Sequence, residues 1–287
     1  MVSPAFRVGV AEMKGWRPSM EDAHVIYAQD TWGFFGVFDG HGGDQCSGFI
    51  ARRIKEELAK NGMPQSDEAV TELVFRLDKE FLDSKQPSGS TGTFVIVQKP
   101  SAPGGNYKLR VGNIGDSRVL LGRADGSIFP GNGTESALTT DHKPDLERER
   151  ARIERAGGNV QEVMGVARVN GSLAVSRSFG DAELKNMGGL SPEDQPVSCA
   201  PELQEFECGP TDFVMLVCDG ISEGGFSNEA AVKLAAERLH IADGQPVDPA
   251  EAAMAVCTEA LKSGSTDNLT CMIVMVPASP VSRVQHA

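Results

Sequence analysis

Three aspartates stand at the mouths of the most apolar stretches of this 287-residue chain. Asp39 ends the run Phe34-Phe35-Gly36-Val37-Phe38, and Asp219 ends Phe213-Val214-Met215-Leu216-Val217-Cys218. Asp267 comes just before Leu269-Thr270-Cys271-Met272-Ile273-Val274. Carboxylates are rarely buried unless they are paired or bound to a metal. If the three runs are neighbouring strands, their carboxylates converge on one edge. Anions gathered in a low dielectric repel strongly unless cations lie among them. Oxygen-only ligation suits hard ions such as Mg2+ or Mn2+ better than zinc, because no Cys/His ligand spacing is present. Two metals sharing one carboxylate would activate a water and clamp a phosphoryl oxygen. The plain alternative is a set of turn residues. Asp-Gly is the strongest short hairpin signal, and it recurs at 39, 125, 219 and 243.

Other residues could join such a site. Arg17 lies in a loop marked by Gly15 and Pro18. Its guanidinium could match a phosphate bidentately, or it could be an ordinary solvated charge. Glu21 and Asp22 follow closely enough to touch metal-bound waters, or they are ordinary turn acids. His41 lies two residues past Asp39 and could give a proton to a leaving alkoxide. Its competing reading is a turn histidine in Gly40-His41-Gly42-Gly43. Asp125-Gly126 sits between modest strands and reads as a turn only.

The elements that must position these residues follow from periodicity. Residues 6–12, 25–28 and 33–38 read as strands joined by connections too short for crossover helices, which predicts antiparallel pairing. Cys46, Ile50, Ile54 and Leu58 recur every four residues among charged neighbours, an amphipathic helix. A second helix over 67–83 completes a helical hairpin packed on the sheet. Strands are expected over 93–98, 107–113, 117–122, 202–207, 213–218 and 269–276, with a short one over 135–139. Helices are expected over 145–156, 228–240 and 249–262. The last opens with Asp248-Pro249-Ala250-Glu251, a cap residue followed by Pro in the first turn. Residues 182–198 show no periodicity and read as a flap-like loop. The tail over 277–287 reads as unstructured.

Bulk properties set limits. Hydrophobic content of 40% with 23% charged residues fits a globular chain with a substantial core. The net charge of −13 argues against nucleic acid as a partner. No apolar run approaches the roughly 18 residues of a membrane span, no signal peptide is visible, and Val2 excludes N-myristoylation. The six cysteines form no Cys-x-x-Cys pair and read as reduced thiols. The expectation is a cytoplasmic or nuclear monomer, a single domain over 1–287 with its core at about 7–276.

The motifs in order resemble those of the type 2C metal-dependent serine/threonine protein phosphatases. Gly15-Trp16-Arg17-Pro18-Ser19-Met20-Glu21-Asp22-Ala23-His24 is similar to the first signature, and Phe38-Asp39-Gly40-His41-Gly42-Gly43 to the second. Ser88-Gly89-Ser90-Thr91, Gly115-Asp116-Ser117-Arg118 and Asp141-His142-Lys143-Pro144 follow in the family's order. So do residues 168–181, Cys218-Asp219-Gly220-Ile221 and residues 264–270. The resemblance implies an α+β fold, a four-layer α-β-β-α sandwich of two antiparallel sheets flanked by helix pairs.

The same resemblance implies roles for residues. Asp39 would bridge two Mg2+ or Mn2+ ions beside the Gly40 carbonyl, with Asp219 and Asp267 completing one ion. Glu21 and Asp22 would act through water at the other. Arg17 would grip the phosphate, His41 would act as general acid, and Asn268 would orient its aspartate neighbour. A weaker third metal would involve Asp116 and Glu223; Ser222 and Glu223 stand where the family usually has Trp then Asp. The implied reaction is direct attack of a metal-bridging hydroxide on phosphoserine or phosphothreonine of protein substrates, with no phosphoenzyme. The alternative is a catalytically impaired relative acting as a phosphoprotein-binding module. That reading predicts losses at Arg17, Asp39, Asp219 or Asp267, and all four are present.

Overall fold

Strands that are apolar on both faces dominate the chain, and two stacked sheets covered by helices give both faces somewhere to go. The computed structural model describes residues 6–102, 104–239 and 248–276. The first strands are β1 (Arg7–Met13), β2 (Ala23–Ala28), β3 (Trp32–Phe38) and the two-residue β4 (Gly40–His41). Helices α1 (Gln45–Asn61) and α2 (Asp67–Asp83) follow, then β5 (Gly89–Ser90), β6 (Gly92–Gln98), β7 (Tyr107–Ile114) and β8 (Arg118–Gly122). Next come α3 (Glu147–Arg155), a hairpin of β9 (Val160–Val163) and β10 (Val166–Val169), and β11 (Phe179–Gly180). The chain closes with β12 (Glu202–Cys208), β13 (Phe213–Val217), α4 (Asn228–Leu239), α5 (Pro249–Lys262) and β14 (Leu269–Met275).

One sheet runs β12-β7-β6-β3-β2 and the other β1-β14-β13-β8, every neighbour antiparallel. The expected four-layer α-β-β-α sandwich is therefore the observed architecture. Strand alternation sorts the side chains between layers. Phe34, Phe38, Phe94 and Ile96 pack under α1 and α2 with Ile50, Leu58, Leu77 and Phe81. Phe35, Val37, Val95, Val97, Val214, Leu216, Met272 and Val274 form the core between the sheets, continuous with the apolar faces of α4 and α5. α5 presses directly on β1: a Cβ at Gly9 would lie 2.0 Å from the Ala250 backbone nitrogen. Asp248 caps α5 by accepting the Ala250 N–H at 3.0 Å, with Pro249 in the first turn.

Register decides which ends share a rim. Ala23 faces Phe38, Thr93 faces both Val37 and Asn113, Val217 faces Cys271 and Arg118, and Met13 faces Leu269. Asp22, Asp39, Asp116, Asp219 and Asp267, each one to three residues beyond a strand end, therefore gather at one end of the sandwich. A small three-stranded sheet, β11-β5-β4, lies at the same end and aligns His41 with Gly89 and Gly89 with Gly180.

One expectation is corrected. The strand expected over 135–139 is absent; Thr134–Ser136 is a 3-10 turn with left-handed Glu135 and Ser136. Side chains outbid the ladder there: Arg118 Nη1 donates to Glu135 at 2.8 Å, and Asn228 Nδ2 donates to the Glu135 carbonyl at 3.0 Å. Residues 182–198, expected as a flap-like loop, are irregular apart from the 3-10 turn Ala182–Leu184, and side chains tie them down. Lys185 Nζ donates to Asp78 at 2.8 and 2.9 Å, Gln195 bonds both ways with Met187, and Ser198 Oγ donates to the Pro192 carbonyl. The element that protrudes is the β9–β10 hairpin, turned by Met164 (φ 53°) and Gly165 (φ 82°). Such positive φ at both central residues marks a hairpin turn matched to strand twist. The tail over 277–287 lies outside the described residues, as does the last residue of the helix expected over 228–240.

α3 is held to the segment that leads into the rim by a buried acid. Glu149, 1% exposed, accepts from Ser176 Oγ at 2.8 Å and pairs with Arg177 Nη2 at 2.6 Å and Arg152 Nη1 at 2.5 Å. Burial alone would raise its carboxyl, but the Arg177 and Arg152 guanidinium groups outweigh it and hold it at about 2, against an ordinary 4.5. A carboxyl depressed in the folded state adds stability above its unfolded pKa and loses it as pH falls through its folded pKa. The Glu149 contribution, about 3 kcal/mol from a shift of that size, is thus present above pH 4.5 and disappears toward pH 2. Chemical denaturation against pH should show Glu149→Gln less stable at pH 7 by about 3–5 kcal/mol, the cost of leaving buried cations unpaired. It should also flatten the acid limb; wild-type and variant curves that stay parallel would refute this reading.

Candidate active site and metal centre

A cleft of about 270 Å3 opens at the rim, lined among others by Arg17, Glu21, Asp39, Gly40, His41, Asp116, Asp219 and Asp267. Asp39 continues the face of β3 that carries Phe35 and Val37, so its carboxylate enters the gap between the sheets. Its backbone is clamped. The N–H donates to Thr91 Oγ1 at 3.1 Å, and the carbonyl accepts from the Thr91 N–H at 2.8 Å and from Ser90 Oγ at 3.1 Å. Thr91 Oγ1 is itself 2.8 Å from Ser117 Oγ. The Ser88–Thr91 motif thus braces Asp39 and carries no charge of its own.

Across the cleft, Asp219 begins a 3-10 turn, Asp219–Ile221, directly after β13. Gly220 lets the Asn268 carbonyl close in; a Cβ there would lie 2.0 Å from that oxygen. Asp267 accepts from the Asn268 N–H at 2.6 Å and from Arg17 Nη2 at 2.6 Å. The Asn268 side chain has a different task. Its Oδ1 accepts the Glu21 N–H at 2.8 Å, and its Nδ2 donates to the Lys14 and Ser19 carbonyls at 2.8 and 2.9 Å. It therefore fixes the loop that carries Arg17 and Glu21. Glu21 accepts from Ser19 Oγ at 2.8 Å and from the Gly43 N–H at 3.1 Å, and its carbonyl would lie 2.2 Å from a Cβ at Gly40. Asp22 sits behind the cleft, where Oδ2 accepts from Thr270 Oγ1 at 2.6 Å and Oδ1 is buried with no partner among the described residues.

Asp116 is buried and pairs with Lys143. Glu223 is exposed and accepts from Thr266 Oγ1 at 3.0 Å and Ser265 Oγ at 3.3 Å, outside the cleft lining. The structure therefore gathers Arg17, Glu21, Asp39, Gly40, His41, Asp116, Asp219 and Asp267 around one space, sets Asp22 and Asn268 behind it, and leaves Glu223 at its margin.

The acids disturb one another. Burial and then the neighbouring anions Asp22, Asp219, Asp116 and Asp267 push the Asp39 carboxyl well above the usual range. Burial and then Asp116 push Asp219 up to about 7, and burial raises Asp22 to about 6. Burial also raises Asp267, against the pull of the Asn268 N–H and Arg17. His41 moves upward as well: burial would lower the imidazole, but the hydrogen bond and charge of Asp181 outweigh it. The Asp181 oxygens lie 2.8 and 2.9 Å from His41 Nε2.

The donor set fits hard divalent cations. All donors are oxygens, the site is rich in negative charge, and the orphaned Asp22 Oδ1 needs a donor such as an ordered water. Among the described residues no three Asp, Glu, His or Cys side chains are already drawn to metal-binding distance. Arg17 engages Asp267, Lys143 engages Asp116 and Thr270 engages Asp22. Cation binding would compete with Arg17 for Asp267, while Asp39 and Asp219 make no ion pair among the described residues.

Sequence reasoning missed Asp181, Lys143 and Arg168. All three stand in motifs that carry the family resemblance, Arg168 and Asp181 at the two ends of residues 168–181 and Lys143 just before Pro144, but none was given a role there. Arg168 lines the cleft from β10, a strand that was not expected.

The protein phosphatase 2C family model matches residues 6–269. The probable protein phosphatase 2C 69 of Arabidopsis thaliana is 37% identical over 280 residues, covering 94% of this chain and 70% of the relative. Protein phosphatase 1A of Mus musculus is 32% identical over 297 residues, covering 96% and 72%. A solved phosphatase from Toxoplasma gondii superposes with a TM-score of 0.83 at 29% identity, covering 96% of each chain. Since the matched span runs from the lead-in to β1 to the first residue of β14 and encloses the whole cleft, the chain belongs to the protein phosphatase 2C family, whose members are metal-dependent.

Proposed function

We propose that this phosphatase hydrolyses phosphoserine and phosphothreonine in proteins by direct attack of water, using two Mg2+ or Mn2+ ions. The observation that carries the reading is the pair Asp39 and Asp219 lining one cleft, both raised by burial and then by the anions around them, and neither in an ion pair among the described residues. Asp39 with the Gly40 carbonyl, Asp219 and Asp267 would hold the ions, and Glu21 and Asp22 would act through water. Asp116, with Glu223 nearby in sequence to Asp219, would serve a weaker third. When bound, the ions lower the pKa of a coordinated water and offset phosphoryl charge.

The chain's own groups do the rest. The cysteines do not compete as nucleophiles: all six are buried and their thiols are pushed upward by burial, Cys208 and Cys257 to about 12. Arg17, its side chain 54% exposed, can leave Asp267 and take two phosphate oxygens in its fork. Its departure also frees Asp267 as a ligand, which couples substrate and metal at one carboxylate. His41, whose charged form is favoured by the Asp181 carboxylate against the effect of burial, can give a proton to the leaving seryl or threonyl oxygen.

Phosphorylated proteins are the proposed partners. The net charge of −13 supports a role away from nucleic acid. Among the described residues no helix is long and apolar enough to cross a membrane. Buried, unpaired cysteines support a reducing compartment, cytoplasm or nucleus, and we propose a monomer there.

Phosphate release from a phosphothreonine peptide should need Mn2+ or Mg2+ and stop in chelator. Asp219→Asn should lower kcat by more than about 100-fold, beyond the cost of losing even an outer-sphere partner of a metal. Equal turnover in chelator, or by the variant, would sink the proposal. A second measurement needs no substrate. Mn2+ at about 100 times its Kd should stabilise the folded chain by about 2.7 kcal/mol, seen as a raised melting temperature. Asp39→Asn should abolish that rise; an unchanged rise would place the ion elsewhere.

A further inference from the structure

Asp181 is absent from the cleft lining, yet it is the group against which His41 rests. Its carboxylate is 12% exposed and straddles His41 Nε2 at 2.8 and 2.9 Å. Three independent restraints fix it there. Ser178 Oγ donates to Oδ2. The backbone of Asp181 is left-handed (φ 55°, ψ 49°), directly after left-handed Gly180. That turn is anchored to α2 by a buried ion pair. Asp78 accepts the Gly180 N–H at 2.7 Å and Lys185 Nζ at 2.8 and 2.9 Å, while Lys185 also donates to the Ser178 carbonyl at 2.7 Å. Gly89 leaves room for the contact, since a Cβ there would lie 2.3 Å from both His41 Nε2 and Asp181 Oδ2.

Imidazole has two nitrogens, and the partner of one decides what the other does. With the carboxylate on Nε2, that nitrogen keeps its proton. Nδ1 has no hydrogen-bond partner among the described residues, and the ring borders the cleft. We propose that Asp181 is a positioning residue for the phosphatase reaction: it locks Nε2–H so that Nδ1 is the nitrogen that delivers the proton. The inference rests on the phosphatase reading and on His41 as the acid. In that step water oxygen bonds to phosphorus and sheds its proton to solvent. The bond from phosphorus to the seryl or threonyl oxygen breaks with its electron pair on oxygen. That oxygen takes the proton from Nδ1, and His41 is left neutral with Nε2–H still on Asp181. Asp78 and Lys185 carry the same restraint outward to α2.

Two substrates separate this role from a structural one. A phosphothreonine peptide expels a poor alkoxide that needs a proton, whereas p-nitrophenyl phosphate expels a stable phenolate that does not. With the Mn2+-supplemented full chain, Asp181→Asn should lower kcat on the peptide by about 100-fold, the scale of general-acid assistance. On p-nitrophenyl phosphate it should lower kcat by less than about threefold, because no acid is needed. Asn tolerates the left-handed backbone, but its amide can donate to Nε2 and reverse the tautomer. Asp181→Gly, equally compatible with that backbone, should show the same substrate selectivity and covers any misfolding of the Asn variant. In a double-mutant cycle, adding Asp181→Asn to His41→Gln should cost nothing further on the peptide. Equal losses on both substrates, losses that multiply in the double variant, or no loss at all would overturn the inference. A wild-type chain that turns over neither substrate would instead overturn the phosphatase reading on which it rests, and the inference with it.

Discussion

Carboxylates crowded at the open end of an apolar sandwich repel one another, and the arrangement of the rim follows from how that repulsion is met. Two unit charges about 4 Å apart cost roughly 4 kcal/mol at an effective dielectric of about 20, a large fraction of a domain's net stability. Part of the repulsion is met internally: Arg17 lies on Asp267 and Lys143 on Asp116. Among the described residues Asp39 and Asp219 receive no such ion pair, and their raised pKa values record the cost. Two of the acids are thus met by the chain's own cations, and the proposed divalent ions would answer the other two.

The scaffold makes that crowding tolerable by restricting movement. Four of the interior strands, β3, β6, β13 and β14, are apolar on both faces and packed from two sides, so their ends are fixed relative to one another. Short polar side chains then hold the backbone at Asp39, through Thr91 and Ser90, and in the Arg17 loop, through Asn268, while Ser178 holds the Asp181 carboxylate itself. Preorganised groups of this kind need little rearrangement when charge develops on a substrate.

The sheets and long helices were legible because each has a clear signature: residues 93–98 hold a short continuous apolar run rich in β-branched side chains, and Cys46, Ile50, Ile54 and Leu58 mark one helix face. The acids at the ends of apolar runs were legible for the same reason, since a charge breaking such a run is conspicuous. What escaped was local. The two-residue strands β4, β5 and β11 have no period to detect, and they bring His41, Gly89 and Asp181 together. The strand expected over 135–139 gave way to side-chain bonds from Arg118 and Asn228, partners 17 and 93 residues away from Glu135. Asp181 was visible as a residue but not as a partner, because its contact with His41 spans 140 positions.

The central claim is that Asp39 and Asp219 share a divalent cation. Its most direct test is anomalous diffraction from crystals of the chain soaked in Mn2+. The expected result is an anomalous peak in contact with both carboxylates and the Gly40 carbonyl, with Arg17 moved off Asp267. A map with no peak between Asp39 and Asp219, or with manganese bound only elsewhere, would contradict it.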